Sequence, residues 1–328
     1  MFAPSLMIKF LLVPLVTIFN LCHSIHLDIH VPLPKGCLKY HALLANRLLR
    51  SASRPPPAQT DDHNLTQPTE QVNLFSEHTA HLTLYLANFD LEMNNNENTP
   101  LQTYDGINNN NIAVSTVLNQ TKVDAFKNTI SSLNFTNVLA GLNCPLSFTT
   151  TSSKYDDNSI FYNIQGAYTM VPIDITPCLQ KLSDSILHSL KPYLKYPIEV
   201  PSWVAELPEP DRSAAIYRTR QYGSPNVLQG FAPHVTVGYD PNLMANNLQW
   251  RIDTMNQWND AYKQIRETCI DQVQGIALGK TGMGGTVLSS GRMGYWNVPV
   301  TSSKSKGGDE TRVNDAKQDE NEHYAVVE

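Results

Sequence analysis

One order of segments occurs twice in this 328-residue chain. In the first half, Ile25-His26-Leu27-Asp28-Ile29-His30-Val31 alternates as a strand does, and Cys37 to Arg50 carries apolar residues at helical spacing. A loop then leads to a second apolar strand, Ala80-His81-Leu82-Thr83-Leu84-Tyr85-Leu86. In the second half, Tyr168 to Ile175 predicts a strand and Cys178 to Leu194 an amphipathic helix, and a long loop leads to Phe231-Ala232-Pro233-His234-Val235-Thr236-Val237. A helical segment follows each, Lys122 to Leu133 and Asn256 to Cys269. The repeat predicts an α+β fold of two pseudo-symmetric lobes, each an antiparallel sheet with packed helices, around a central cleft.

Successive side chains of a strand point to opposite faces, so His81 and Thr83 are expected on one face and Leu82 and Leu84 on the other. His234-Val235-Thr236-Val237 repeats the arrangement. Two imidazoles and two hydroxyls on a common cleft suit phosphodiester chemistry. One imidazole takes a proton from the attacking oxygen, the other gives one to the leaving oxygen, and the hydroxyls hold the non-bridging oxygens. Imidazole fits both proton roles because its unperturbed pKa of about 6.5 lies near working pH. No cluster of carboxylates and histidines asks for a metal, so no cofactor is expected. In a chain with 10 His, a single His-x-Ser/Thr triplet is weak. The weight rests on the pair, because both are His-apolar-Thr-apolar and both follow the same strand-helix unit.

Hydrophobic residues make up 41% of the chain and charged residues 16%, which suits one large domain or two small ones and excludes a wholly disordered chain. The formal net charge of -6 argues against a protein that coats long nucleic acid. Phe10 to Cys22 is an apolar run broken by Pro14, too short for the roughly 20 residues that cross a bilayer. With small residues at Cys22 and Ser24, residues 1–24 predict a cleaved secretory signal. Cleavage leaves Cys37, Cys144, Cys178 and Cys269, and an even count in an exported chain predicts two disulfides with three pairings open. Sequons at Asn64, Asn119 and Asn134 fit the same compartment. Ser51 to Gln71 and the Asn-rich Met93 to Asn111 predict surface loops, and Thr301 to Glu328 a disordered acidic tail. The folded domain is expected over residues 25–300, with an insertion near 93–111.

Phe231-Ala232-Pro233-His234-Val235-Thr236, together with His81-Leu82-Thr83, resembles the 2H phosphoesterase superfamily, which includes the 2′-5′ RNA ligases and the 2′,3′-cyclic nucleotide phosphodiesterases. The signature of that superfamily is two His-x-Thr/Ser motifs on strands of two pseudo-symmetric lobes, and the likeness spans most of Ile25 to Pro299. The resemblance implies that His81 and His234 are the acid-base pair and that Thr83 and Thr236 are the phosphate ligands. It also implies metal-free action on a 2′,3′-cyclic phosphate or a 2′-5′ linkage, and leaves open which histidine is the base. The long stretch between the motifs and the secretory signal set this chain apart from compact, intracellular members.

Other residues have two readings. Tyr85, two positions after Thr83, is a candidate to stack on a base or bond phosphate, or is a core or cross-strand tyrosine. Tyr239 is a second candidate for substrate binding: Gly238 before it either marks a bulge that turns the ring toward the site or ends the strand. Arg212, Arg218 and Arg220 form the basic concentration near the second motif. Gly275 to Thr281 (GIALGKT) lacks the first glycine of a P-loop, since Gln274 stands there, and reads as a glycine-rich turn between strands. His26 and His30 share a strand face and, without nearby acidic or Cys partners, read as structural. No Lys-x-Asp-Gly supports an ATP-dependent ligase.

The expectation is a secreted, metal-independent phosphoesterase. It would act as a monomer on a small nucleotide or oligonucleotide with a cyclic phosphate, with no long nucleic acid and no stable membrane span. The alternatives are a secreted glycoprotein of the same fold that binds nucleotides or another ligand without turnover, and a surface protein in which the His-x-Thr pairs are accidental.

Overall fold

The computed structural model describes residues 25–51, 72–92, 103–107, 113–133, 135, 144–150, 159–240, 248–282 and 285–298. The expected signal at 1–24, nearly all of the loop at 51–71, most of 93–111, the tail at 301–328 and the sequons at Asn64 and Asn134 lie outside these residues.

Alternation buries Leu27, Ile29 and Val31 of strand β1 (Ile25–Pro32). Helix α1 (Cys37–Ser51) buries Leu38, Ala42, Ala45 and Leu49, a spacing of three and four that lines one helix face. The short β2 (His78–Thr79) and β3 (His81–Phe89) follow. β4 (Thr103–Ile107) and β5 (Ala113–Val117) pair as a hairpin, so part of the Asn-rich stretch expected as loop is strand. The chain continues through α2 (Gln120–Ser132), β6 (Pro145–Leu146), β7 (Asn163–Gln165), β8 (Tyr168–Pro172) and α3 (Pro177–Leu190). It ends with α4 (Asp211–Tyr222), β9 (His234–Tyr239), α5 (Leu248–Lys263), β10 (Asp271–Gln272), β11 (Gly275–Thr281) and β12 (Val287–Asn297).

The fold is mixed α+β with antiparallel sheets, as expected. One sheet runs β2-β12-β11-β1-β3 and another β7-β8-β9. The two motif strands, β3 and β9, are edge strands of different sheets, and they pack on each other. GIALGKT is not a turn: as β11 it sits in the middle of the larger sheet, paired with β1 and β12. Its glycines make room for neighbours, since a Cβ on Gly279 would lie 2.6 Å from Val287 Cγ1 and 3.3 Å from His30 Cε1.

The two strand pairs that carry the motifs share one register. Pro32 at the end of β1 faces His81, and Pro172 at the end of β8 faces His234. Immediately after each motif threonine the ladder slips: Leu84 is the extra residue between Thr83 and Tyr85, and Val237 between Thr236 and Gly238. A bulge of this kind bends a strand and frees backbone groups from the ladder. The carbonyl of Leu84 accepts from Ser183 Oγ at 2.7 Å, and that of Val237 from Asn46 Nδ2 at 2.8 Å. The partners are exchanged, because α3 of the second half packs on β3 and α1 of the first half packs on β9. Asn46 is fully buried and also bonds the Val72 carbonyl and the Leu74 N–H, which accounts for a polar residue in the apolar face of α1.

The disulfides follow the same exchange. Cys37 at the start of α1 pairs with Cys269 beyond α5, and Cys178 at the start of α3 pairs with Cys144 beyond α2. This selects one of the three open pairings. Next to them β6 and β10 pair with each other. Asn119 is buried and N-caps α2, its side chain accepting from the Lys122 N–H at 3.1 Å. The asparagine of that sequon therefore serves as a buried structural cap. No described helix is long and apolar enough to cross a membrane.

Candidate active site

β3 and β9 bring His81, Thr83, His234 and Thr236 to the wall of one cleft of about 1280 Å³. Leu82, Val235 and Val237 anchor the strands from behind and are fully buried. Both imidazoles are oriented in the same way by their own backbone. Nδ1 of His81 lies 2.7 Å from the Thr79 carbonyl and Nδ1 of His234 lies 2.9 Å from the Ala232 carbonyl, in each case two residues back. A carbonyl can only accept, so Nδ1 carries the proton in both rings, and Nε2 is the nitrogen turned away from the motif's own backbone.

The surroundings of the two rings differ. Asp28 of β1 is fully buried beside the first motif. Its Oδ2 accepts the Thr83 hydroxyl at 2.6 Å and lies 3.4 Å from His81 Nε2. Burial alone pushes the His81 pKa down, but the hydrogen bond and charge of Asp28 and the Thr79 carbonyl together carry it above its ordinary value. His30 packs edge-on against His81 with ring centroids 4.9 Å apart, and burial together with the charge of His81 lowers it to about 4. His234 is held below its ordinary value, first by burial and further by the charge of His81, against the Ala232 carbonyl and Asp28. The two imidazoles of the cleft are therefore shifted in opposite directions, His81 toward the charged form and His234 toward the neutral one.

One premise of the sequence reading of His26 and His30, that no acidic partner is near, needs correction. Asp28, the residue between them, does reach His30, with Nδ1 of His30 3.7 Å from Asp28 Oδ1. His30 is buried, whereas His26 is exposed and lines the cleft. Among the described residues no group of three or more His, Cys, Asp or Glu is arranged to hold a metal.

Tyr85 is not on the cleft face. The Leu84 bulge shifts the alternation, so Tyr85 turns inward, stacks edge-on with Phe89 and donates its hydroxyl to the Tyr222 carbonyl at 2.7 Å. Tyr239 packs against Tyr168 with centroids 4.9 Å apart, and it is Tyr168 that lines the cleft. Of the three arginines only Arg218 reaches the cleft, with Nε donating to the Pro225 carbonyl at 2.7 Å. Arg212 bonds the Leu207 carbonyl and faces Glu209, and Arg220 is exposed. Trp203, on a short 3-10 helix at Ser202–Glu206, adds an aromatic wall. The carboxylates Asp174, Glu199, Glu206 and Asp211 border the same space.

Sequence reasoning missed Asp28, Tyr168 and Trp203. Tyr168 was open to discovery, as the aromatic residue beginning the strand that precedes α3. Asp28 was visible only as a polar residue inside an apolar strand. The chain matches no protein-family model and no curated protein.

Proposed function

We propose that this chain is a secreted 2H-type phosphoesterase that hydrolyses a small RNA-derived phosphodiester such as a 2′,3′-cyclic phosphate, its two halves forming the pseudo-symmetric lobes of that fold. The observation that carries the reading is the convergence of His81, Thr83, His234 and Thr236, from edge strands of two different sheets, on one cleft. The shared register, paired bulges and exchanged helices support a bilobal plan, and two disulfides fit an oxidising compartment.

In the reaction, neutral His234 takes a proton from water as the water oxygen bonds to phosphorus. One ester P–O bond of the ring breaks, and cationic His81 gives its proton to the departing oxygen. Thr236 holds a non-bridging oxygen. Each proton transfer contributes about 10²–10⁴-fold. Tyr168 and Trp203 offer faces on which a base stacks. The bordering carboxylates repel additional phosphates, so the reading favours a substrate with one phosphate over a long polyanion.

The test is purified protein in EDTA offered 2′,3′-cyclic nucleotides, with product followed by chromatography. Ring opening that is lost in His234→Ala supports the reading, and no turnover of cyclic or 2′-5′ substrates rejects it. One observation favours the second reading, a secreted protein that binds without turnover: Thr83 already gives its hydroxyl proton to Asp28. Binding of a cyclic nucleotide without product selects it.

A further inference from the structure

The two motif histidines hold the same place in register, but the strands behind them do not match. Two residues before the proline that faces each histidine stand His30 and Met170, and four residues before it stand Asp28 and Tyr168. The acidic residue therefore backs only the first motif. Asp28 is fully buried, its Oδ2 is shared between the Thr83 hydroxyl and His81 Nε2, and its Oδ1 has no hydrogen-bond partner. An ionised carboxylate removed from water is costly unless a cation stands against it.

The groups around it narrow the choice of cation. From β1 comes His30, from β3 His81 and Thr83, and from β9 His234; His78 of β2 bears on His81, and the residue facing Asp28 on β11 is Gly279, without a side chain. His30 stays neutral at working pH, because burial and His81 hold it at about 4. His81 already donates from Nδ1 to the Thr79 carbonyl, so a second proton on Nε2 makes it an imidazolium facing Asp28.

We propose that Asp28 is a positioning residue of the cleft, whose buried carboxylate holds His81 as an imidazolium and fixes the Thr83 hydroxyl beside it. The two motif histidines are then not interchangeable, and, resting on the phosphoesterase reading above, the first is the proton donor and the second the acceptor.

The test uses the full chain with labelled histidines and follows the imidazole Cε1–H signals by NMR against pH, with His81 assigned by its loss in His81→Gln. In the unmodified protein His81 should titrate above 6.5, its ordinary value. In Asp28→Asn its midpoint should fall by about one unit or more, tenfold in proton affinity. The alkaline limb of the pH–kcat profile with a 2′,3′-cyclic nucleotide should move down with it. A His81 midpoint at or below 6.5 in the unmodified protein overturns the proposal even if Asp28→Asn does not fold, and an unchanged midpoint in a folded Asp28→Asn does so too. A midpoint that falls as expected in a protein without turnover upholds the role of Asp28 and rejects the phosphoesterase reading alone.

Discussion

The hydroxyl of Ser183 donates to the carbonyl of Leu84 across 2.7 Å, tying a helix of the second half to the bulge that follows the first motif. Asn46 does the same service in the opposite direction for Val237. The bulges turn each strand just past its threonine, so these two buried contacts shape the wall on which the histidines stand.

Removing them should weaken the fold. Ser183→Ala leaves the Leu84 carbonyl one partner short and is expected to cost on the order of 1–2 kcal/mol. Asn46→Ala strips partners from the Val72 and Val237 carbonyls and the Leu74 N–H, and should cost about 3 kcal/mol. Urea unfolding reads both as a lower midpoint at constant slope. A midpoint unchanged in Asn46→Ala would contradict the packing described.

Replacing the two histidines should separate activity from stability. His234 is half-buried, so His234→Ala should lower kcat/KM by about 10²-fold or more with little change in Tm. His81→Ala should lose as much activity and also stability, because it leaves buried Asp28 without the ring beside it. Thermal unfolding alongside initial rates distinguishes the two patterns.

Activity should rise with pH as His234 loses its proton below its ordinary value, and fall again as His81 loses its proton above its own. The plateau therefore extends to both sides of 6.5, measured as kcat/KM against pH. Stability carries an acidic signature from His30. Between its ordinary value of 6.5 and about 4 the unfolded chain holds a proton there that the folded chain lacks, so acidification through this window removes on the order of 3 kcal/mol. His30→Gln should flatten that part of the stability curve.

Asn119 should carry no glycan in protein made through a secretory pathway, which peptide mapping by mass spectrometry can establish. Asn119→Ala should cost about 1 kcal/mol through loss of the α2 cap, whereas Asn119→Asp should retain it. A glycosylated Asn119 in folded protein would contradict the burial described.

Periodicity made β1, α1, β3, α2, β8, α3 and β9 legible in the sequence, because each has one apolar face and one polar face. α5 begins at Leu248, eight residues ahead of the expected Asn256, since Arg251 is fully buried and breaks the apolar pattern; its guanidinium donates to Thr169 Oγ1 at 2.8 Å. α4 lies within the segment expected as a long loop, because it buries only Ala215 and Thr219 and shows no apolar stripe. A bulge leaves no mark on composition, so Tyr85 appeared to face the cleft. The His-x-Thr residues could be picked out by their repetition, whereas Asp28 has its meaning only through contacts with β3 that no local pattern announces.

The Cys37–Cys269 bond bears on how the chain would respond to proteolysis. It spans 232 residues of sequence, enclosing both motifs and the loops between them. A single backbone cut anywhere inside that span leaves one covalent particle, and the exchanged helices continue to grip the opposite strands. Nicked and intact chains would travel together under oxidising conditions and part only when reduced.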